Sequence, residues 1–305
     1  MFQPYDLAAK PRIDRYTEAY GENSCQHSCA VSLCRFSKYG DEYEERDGWL
    51  LTLRRGRCSE GKRVYLFPLG DRSDAEGCRS AVEAVLEDAH SHGALAVFET
   101  VTAGAKELLE ELYPGRFRMT ALRGYYEYIY SYERLAELKG RAFVNKRHDI
   151  RTFRELYGDR TEISRIRPED AGEILAFQEK WLQTKLEAED NVQLELEDEA
   201  VRIALGQFEA LGMRGIVVRI GGAVAGYAIG VPLSETGFDV IFEKGDRNIL
   251  HIYRILNQEF VRRCCGGFQW INREEDVDAE GLRIAKLSYH PEILMEKFLA
   301  EEVPG

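Results

Sequence analysis

The stretch Trp270–Pro291, WINREEDVDAEGLRIAKLSYHP, carries the most informative chemistry in the chain. A strand ending at Asn272 would release Arg273, Glu274, Glu275 and Asp276 into a loop. Gly281 then permits a turn, and Arg283, Lys286, Ser288 and Tyr289 follow. Polar groups just past a strand end are how open α/β sheets build sites. The same charges could equally form a salt-bridge network that anchors the last segment, and spacing leaves both readings open. A second stretch, VIFEKGDRNILHIYR (240–254), delivers Glu243 and Lys244 from a strand and starts a helix near Asn248. Glu243 could be a general base if burial raises its pKa. The free amides of a helix start near Asn248 would favour an anion, although the loop lacks the glycines of a phosphate-wrapping turn. Pairing of Glu243 with Lys244, Arg273 or Lys286 is the plainer alternative.

A third feature is basic. Lys139–Arg160 holds seven Lys/Arg against three acids, with Lys146 beside Arg147, Arg151 and Arg154, which recur along one helical flank. It is where an anionic partner would be steered, unless it is a solvated face. The tract Glu187–Glu199 has seven carboxylates and no base; it reads as an exposed loop between helices rather than a metal site. Cys25, His27, Cys29 and Cys34 are compressed into one helical segment, and the spacing lacks the paired knuckles of structural zinc. No metal is expected there, and the seven cysteines read as reduced core residues. No Ser/His/Asp ordering, paired-histidine metal motif, phosphate loop or dinucleotide fingerprint is present. His148, His251 and His290 lie near the candidate stretches without an evident catalytic partner.

The elements that must position these groups run in two similar series. WLLTL and RVYLFPL read as a hairpin, DAEGCRSAVEAVLEDAHSHG as a helix closed by Gly93, and ALAVFETV as a buried strand. KELLEELYPG reads as a helix and YYEYIYSYERL as a strand. The second series has helices over 145–157, 168–186 and 196–211. RGIVVRIGGAVAGYAIGVPL is a hairpin turning at Gly221-Gly222. GFDVIFEKG is a strand, NILHIYRILNQEFVRRCCG a helix, and FQWINRE a strand. The shared order points to a duplicated α/β unit, with an N-terminal domain over 1–136 and a C-terminal domain over 137–305.

Composition limits the partners. The 305 residues carry 41 Lys+Arg and 53 Asp+Glu, a net charge of −12, with 44% apolar residues. Such a chain can bury a core, and its acidity excludes a broadly basic binder of duplex nucleic acid. With no long apolar run and no leader-like start, a cytoplasmic protein without a transmembrane segment is expected. A lipid-directed protein would need an amphipathic anchor, and none is evident.

INREEDVDAEGLRIAKLSYHP, preceded by EKG…YRILNQEF and LKGRAFVNKRHDIRTF, resembles the DUF2156 family, related to the C-terminal domain of phosphatidylglycerol lysyltransferase. FPLGDRSDAEG and the ETV…LEELYPGRF block extend the resemblance over essentially the whole chain. It implies two tandem GNAT-like domains, each a mixed sheet flanked by helices, and acyl or aminoacyl transfer. The donor would be acyl-CoA or aminoacyl-tRNA rather than a tightly bound cofactor, and the amine or hydroxyl acceptor is unknown. Matched residue by residue, the resemblance offers Glu243, Glu274, Tyr289 and Asn272 for catalysis. It offers Lys146, Arg147, Lys244, Arg273, Arg283 and Lys286 for holding the donor, to which the helix start near Asn248 adds its amides. Two departures stand out: His148 replaces the usual Asn of the basic signature, and Gly245 replaces the usual Ala after Glu-Lys. A non-catalytic binding or regulatory protein on the same fold is the rival expectation. It predicts that the 270–291 charges pair internally.

Overall fold

The computed structural model describes residues 1–36, 40–186 and 192–304. Its first strands are β1 Gln3–Pro4, β2 Glu42–Arg46, β3 Trp49–Leu53, β4 Lys62–Leu69, β5 Leu95–Thr102, β6 Phe117–Ala121 and β7 Glu127–Ser131. Then come β8 Thr161–Arg165, β9 Arg214–Ile220, β10 Ala223–Pro232, β11 Gly237–Gly245, β12 Trp270–Asn272, β13 Ile293–Met295 and β14 Lys297–Glu302. The helices are α1 Lys10–Tyr20, α2 Cys29–Val31, α3 Ala75–Ser91, α4 Ala103–Leu112 and α5 Tyr132–Glu137. They continue with α6 Val144–Tyr157, α7 Ala171–Leu186, α8 Val192–Gly206, α9 Ile252–Cys264 and α10 Glu280–Leu287.

Two compact units divide the chain. The first holds Met1–Ile129, Glu274–Leu287 and Ile293–Gly305; the second holds Tyr130–Arg273 and Ser288–Glu292. The sequence put a seam after residue 136; the first changeover falls at Ile129/Tyr130, and Glu274–Leu287 and Ile293–Gly305 belong with the first unit.

In the first unit the strands run β1-β2-β3-β4-β5-β14-β6. β4 and β5 are parallel, as a helical crossover through α3 requires, and the other pairs are antiparallel, so the sheet is mixed. Asp74 caps α3 by accepting from the Gly77 amide at 2.9 Å. α3 then turns Val82, Val85, Leu86 and Ala89 onto Tyr65, Phe67 and Phe98 of the sheet. Each large side chain withdrawn in this way contributes about 1.5–3 kcal/mol. Two ion pairs are buried within this unit: Lys297 with Glu127 at 2.8 Å, and Arg54 with Asp41 at 3.1 Å. Burial pushes the Asp41 carboxyl up to about 6.

In the second unit β8, β9, β10 and β11 form antiparallel neighbours, and β12 adds to β11 in parallel, making a second mixed sheet. Gly221 and Gly222 both have positive φ, 60° and 83°, which the two-residue hairpin turn demands. β11 is buried along nearly its whole length, because helices cover both of its faces. α9 lies on one side, burying Ile252, Ile255, Leu256, Phe260 and Val261; α7 meets the other, where Tyr227 donates to Gln178 at 2.7 Å. Gly245 is tight against α9: a Cβ there would sit 2.9 Å from Ile252 Cγ2.

Several elements differ from the sequence reading. The strand expected through YYEYIYSYERL ends at Ser131, whose hydroxyl accepts from the Arg134 amide at 3.3 Å and starts α5. The helix expected from residue 196 begins earlier, at Val192, so 192–195 of the acidic tract lie in α8 rather than a loop, and residues 187–191 lie outside the described residues. Gly281 sits inside α10 rather than in a turn, and α10 leaves Leu282, Ile284 and Leu287 exposed. β13 and β14 were not foreseen; β13 pairs with β7, placing Ile293 opposite Ile129. Among the described residues no helix is long and apolar enough to cross a membrane.

Candidate active site

Strand alternation decides what β11 can offer. Successive residues face opposite sides of a sheet, so Glu243 and Lys244 cannot share one site. Lys244 stands opposite Tyr227 on β10, hence on the α7 side. There its Nζ lies 2.6 Å from Glu197 Oε2 and 4.1 Å from the centre of the Trp181 ring. Glu243, opposite Ala228, takes the α9 side. Glu243 and Lys244, both offered as site residues, therefore stand on opposite faces of the sheet.

Glu243 there meets Arg273, the first residue after β12. Arg273 Nη2 lies 3.3 Å from each carboxylate oxygen. Asn257 of α9 packs its side-chain amide against the same guanidinium, and the amide orientation that satisfies both groups puts its oxygen 3.3 Å from Nη1 and Nε. The Arg273 plane also rests over the Tyr289 and Tyr130 rings, at 5.1 and 5.9 Å. β12 pairs with β11 only over Gly237–Asp239, so Glu243 and Arg273 meet beyond the paired ends of two parallel strands. Asn272, the last residue of β12, is 1% exposed.

Tyr289 draws two further cations. Arg254 Nη1 reaches its hydroxyl at 3.5 Å, and Lys146 Nζ lies 4.4 Å from its ring centre. Burial raises the Tyr289 pKa, against the pull of Arg273 and Arg254. Asp149, one turn after Lys146 on α6, accepts from Arg254 Nε at 3.1 Å and lies 3.7 Å from His251 Nδ1. Lys146, Arg254 and Arg273 therefore converge on one tyrosine with Glu243 and Asp149 as counter-charges. Lys146 Nζ also lies 2.6 Å from Ser288 Oγ. Arg254, Asn257, Asp149 and Tyr130 were not singled out in sequence. Arg254 and Asn257 stand three apart on α9, and the polar Asn257 among its apolar positions was the available signal.

Other expected residues lie elsewhere. Lys146 and Arg147 are neighbours on a helix and so point about 100° apart. Arg147 donates to the Leu138 and Gly140 carbonyls, capping α5. With Arg151, Arg154 and Arg262 it lines a groove of about 420 Å³ between α6 and α9, which Glu137 and Glu155 also border. Asn248 does not begin a helix. α9 starts at Ile252 after a left-handed His251, and Asp246 Oδ1 accepts from Asn248 N at 2.9 Å and Nδ2 at 3.0 Å. The proposed helix-start amides are absent from that position.

Glu274, Arg283 and Lys286 belong to the first unit. Arg35 donates to Glu274 Oε2 at 2.8 Å, and burial drives the Glu274 pKa upward. Lys286 donates to the Glu274 and Glu275 carbonyls at 3.0 and 2.6 Å. Arg283 clasps Asp276 with two 2.8 Å bonds, and Tyr128 donates to the same carboxylate at 2.5 Å. These partners hold the Asp276 pKa well below the usual carboxylate range. Cys25, His27, Cys29 and Cys34 are buried in this unit. Burial pushes the Cys29 thiol up to about 12 and His27 down to about 3.

Among solved structures, the chain is similar to a conserved protein of unknown function from Bacteroides thetaiotaomicron VPI-5482. That match has 30% identity and a TM-score of 0.90, and covers 99% of each chain. It is similar at 12% identity to the C-terminal domain of a putative lysylphosphatidylglycerol synthetase from Agrobacterium fabrum, with a TM-score of 0.66, covering 97% of this chain and 93% of that one. A tandem GNAT protein of the clavulanic acid biosynthesis pathway matches at 12% identity and a TM-score of 0.52, over 100% and 99% of the two chains. Those two likenesses establish the tandem GNAT-like fold. No curated protein matches the chain. The family described as phosphatidylglycerol lysyltransferase, C-terminal, matches residues 17–301, and the chain belongs to that family.

Proposed function

We propose that the protein is an acyl- or aminoacyltransferase working in its second unit. The observation that carries this reading is the convergence of Lys146, Arg254 and Arg273 on Tyr289 beside Glu243. Cations fixed in place by buried partners suit a carbonyl that becomes an oxyanion. Glu243, held by Arg273, takes the proton of the attacking amine or hydroxyl, and Tyr289 returns one. The arginine groove along α6 and α9 suits the donor's phosphates, whether those of acyl-CoA or of the acceptor end of an aminoacyl-tRNA. Glu274 is a weaker candidate base, since Arg35 occupies it within the first unit. The test is titration of the protein with acetyl-CoA and with charged tRNA at low salt. One donor should bind, weakening with added salt and in Arg151→Ala/Arg154→Ala. Binding of neither removes the reading.

A second reading, a non-catalytic ligand-binding protein on the same fold, is favoured by the internal pairing of Glu274, Asp276, Arg283 and Lys286. It predicts ligand binding that leaves the bound donor chemically unchanged after prolonged incubation.

A further inference from the structure

In the reading above Lys146 serves only as a positive charge, yet its surroundings disfavour one. It stands on the first turn of α6 and is 7% exposed. Two guanidinium groups, Arg254 and Arg273, share the Tyr289 ring with it. The nearby carboxylate, Asp149, is already taken by Arg254 at 3.1 Å and approached by His251 at 3.7 Å. Burial first, then Arg254 and Arg273, bring the lysine from 10.5 down to about 8. Its Nζ lies 2.6 Å from Ser288 Oγ. As an ammonium, Lys146 donates across that contact; as an amine, it accepts the serine proton. Ser288 is only partly buried, while its partner amine is withdrawn from water.

We propose that Ser288 is a nucleophile with Lys146 as its general base, so that transfer, on the reading above, passes through an ester on Ser288 Oγ. Ser288 Oγ attacks the donor carbonyl carbon as its proton moves to Lys146 Nζ. The oxyanion gathers beside Arg254 and Arg273. When the tetrahedral adduct collapses, the carbonyl–leaving-group bond breaks and the thiolate or alkoxide takes the proton from Lys146. The acceptor amine or hydroxyl then attacks the serine ester and gives its proton to Lys146, which on this route takes the base role that direct transfer assigns to Glu243. That proton returns to Ser288 Oγ as it leaves. Electrons and protons balance without a redox partner or a metal.

The test uses p-nitrophenyl acetate and a fluorophosphonate probe on the full chain. Wild type should give a burst of p-nitrophenolate stoichiometric with protein, an acetyl group mapping to Ser288, and fluorophosphonate labelling at the same residue. Ser288→Ala should lose all three. Ser288→Cys should restore an acyl adduct, which shows that the altered site still folds. Lys146→Arg, which keeps the charge but cannot accept a proton, should slow the burst roughly 10²-fold or more. An adduct on a lysine or cysteine instead, a burst that survives Ser288→Ala, or no burst in wild type overturns the proposal. If Ser288→Ala turns over acetyl-CoA or charged tRNA at the wild-type rate, the covalent step fails and the transferase reading stands. If wild type acylates Ser288 yet transfers from neither donor, the nucleophile stands and the transferase reading fails.

Discussion

Lys297 and Glu127 meet 2.8 Å apart in the first unit with both side chains wholly withdrawn from solvent. Ser24 completes the pair, accepting from Lys297 at 2.6 Å and donating to Glu127 at 2.9 Å. Removing one partner leaves an uncompensated buried charge, which costs about 3–5 kcal/mol. Lys297→Met or Glu127→Leu alone should therefore sharply lower the urea midpoint. The double variant should recover much of the loss, because it removes the stranded charge. Additive losses in the double variant would show that the two do not act as a pair.

Arg273 and Glu243 are predicted to separate chemistry from folding. Arg273→Lys keeps a charge but loses the planar contact with Asn257 and both tyrosine rings. Transfer should fall by roughly 10²-fold, the scale of losing one positioned donor, while the unfolding midpoint shifts little. Glu243→Gln should reduce the rate without weakening donor binding. Steady-state kinetics on both variants, with a thermal melt as control, would check this.

Lys244 tests strand alternation directly. Its contacts with Glu197 and Trp181 lie on the α7 and α8 side. Lys244→Met should cost about 1–2 kcal/mol of stability and leave donor affinity as it was. A loss of donor binding at unchanged stability would place Lys244 in the site after all.

Asp276 predicts a pH dependence with a definite sign. Its carboxyl is held below the ordinary 3.8 by Arg283 and Tyr128. The stability it contributes is therefore present above about pH 4 and is lost as pH falls through its depressed folded value. Asp276→Asn should be less stable than wild type at pH 7, with the gap closing in acid. A gap constant from pH 7 to pH 3 would contradict the assignment.

His27 acts in a neighbouring window. Its ring is kept neutral, with a pKa of about 3 against an ordinary 6.5, because burial opposes its charge. Unfolded chain binds that proton below pH 6.5 while the folded chain does not, so its share of stability is intact above 6.5 and fades toward pH 3. His27→Gln should flatten the stability profile between those values in equilibrium denaturation.

Much of the fold was legible from the chain. The hairpin at Gly221-Gly222, the α3 and α9 helices and the buried β5 strand follow from apolar period and turn residues. What was missed were short or end elements: α10 is eight residues and β13 three. Elements so short draw their stability from packing rather than from propensity. Alternation continues past Ser131 and reads it as mid-strand, whereas its hydroxyl caps a helix.

The candidate site was legible only as a set of residue types. Residues, spacing and family resemblance singled out Glu243, Arg273, Tyr289 and Lys146 as candidates, together with a duplicated α/β order and an acidic balance of −12. The tertiary structure decided their partners. Arg273 meets Glu243 across 30 residues, and Lys146 meets Ser288 across 142. It also parted neighbours that the sequence had grouped, Glu243 from Lys244 and Lys146 from Arg147. Local periodicity fixes the angle between adjacent side chains. It does not fix which face will be covered by α9, by α7 or by water, and that choice sets both the partner and the pKa.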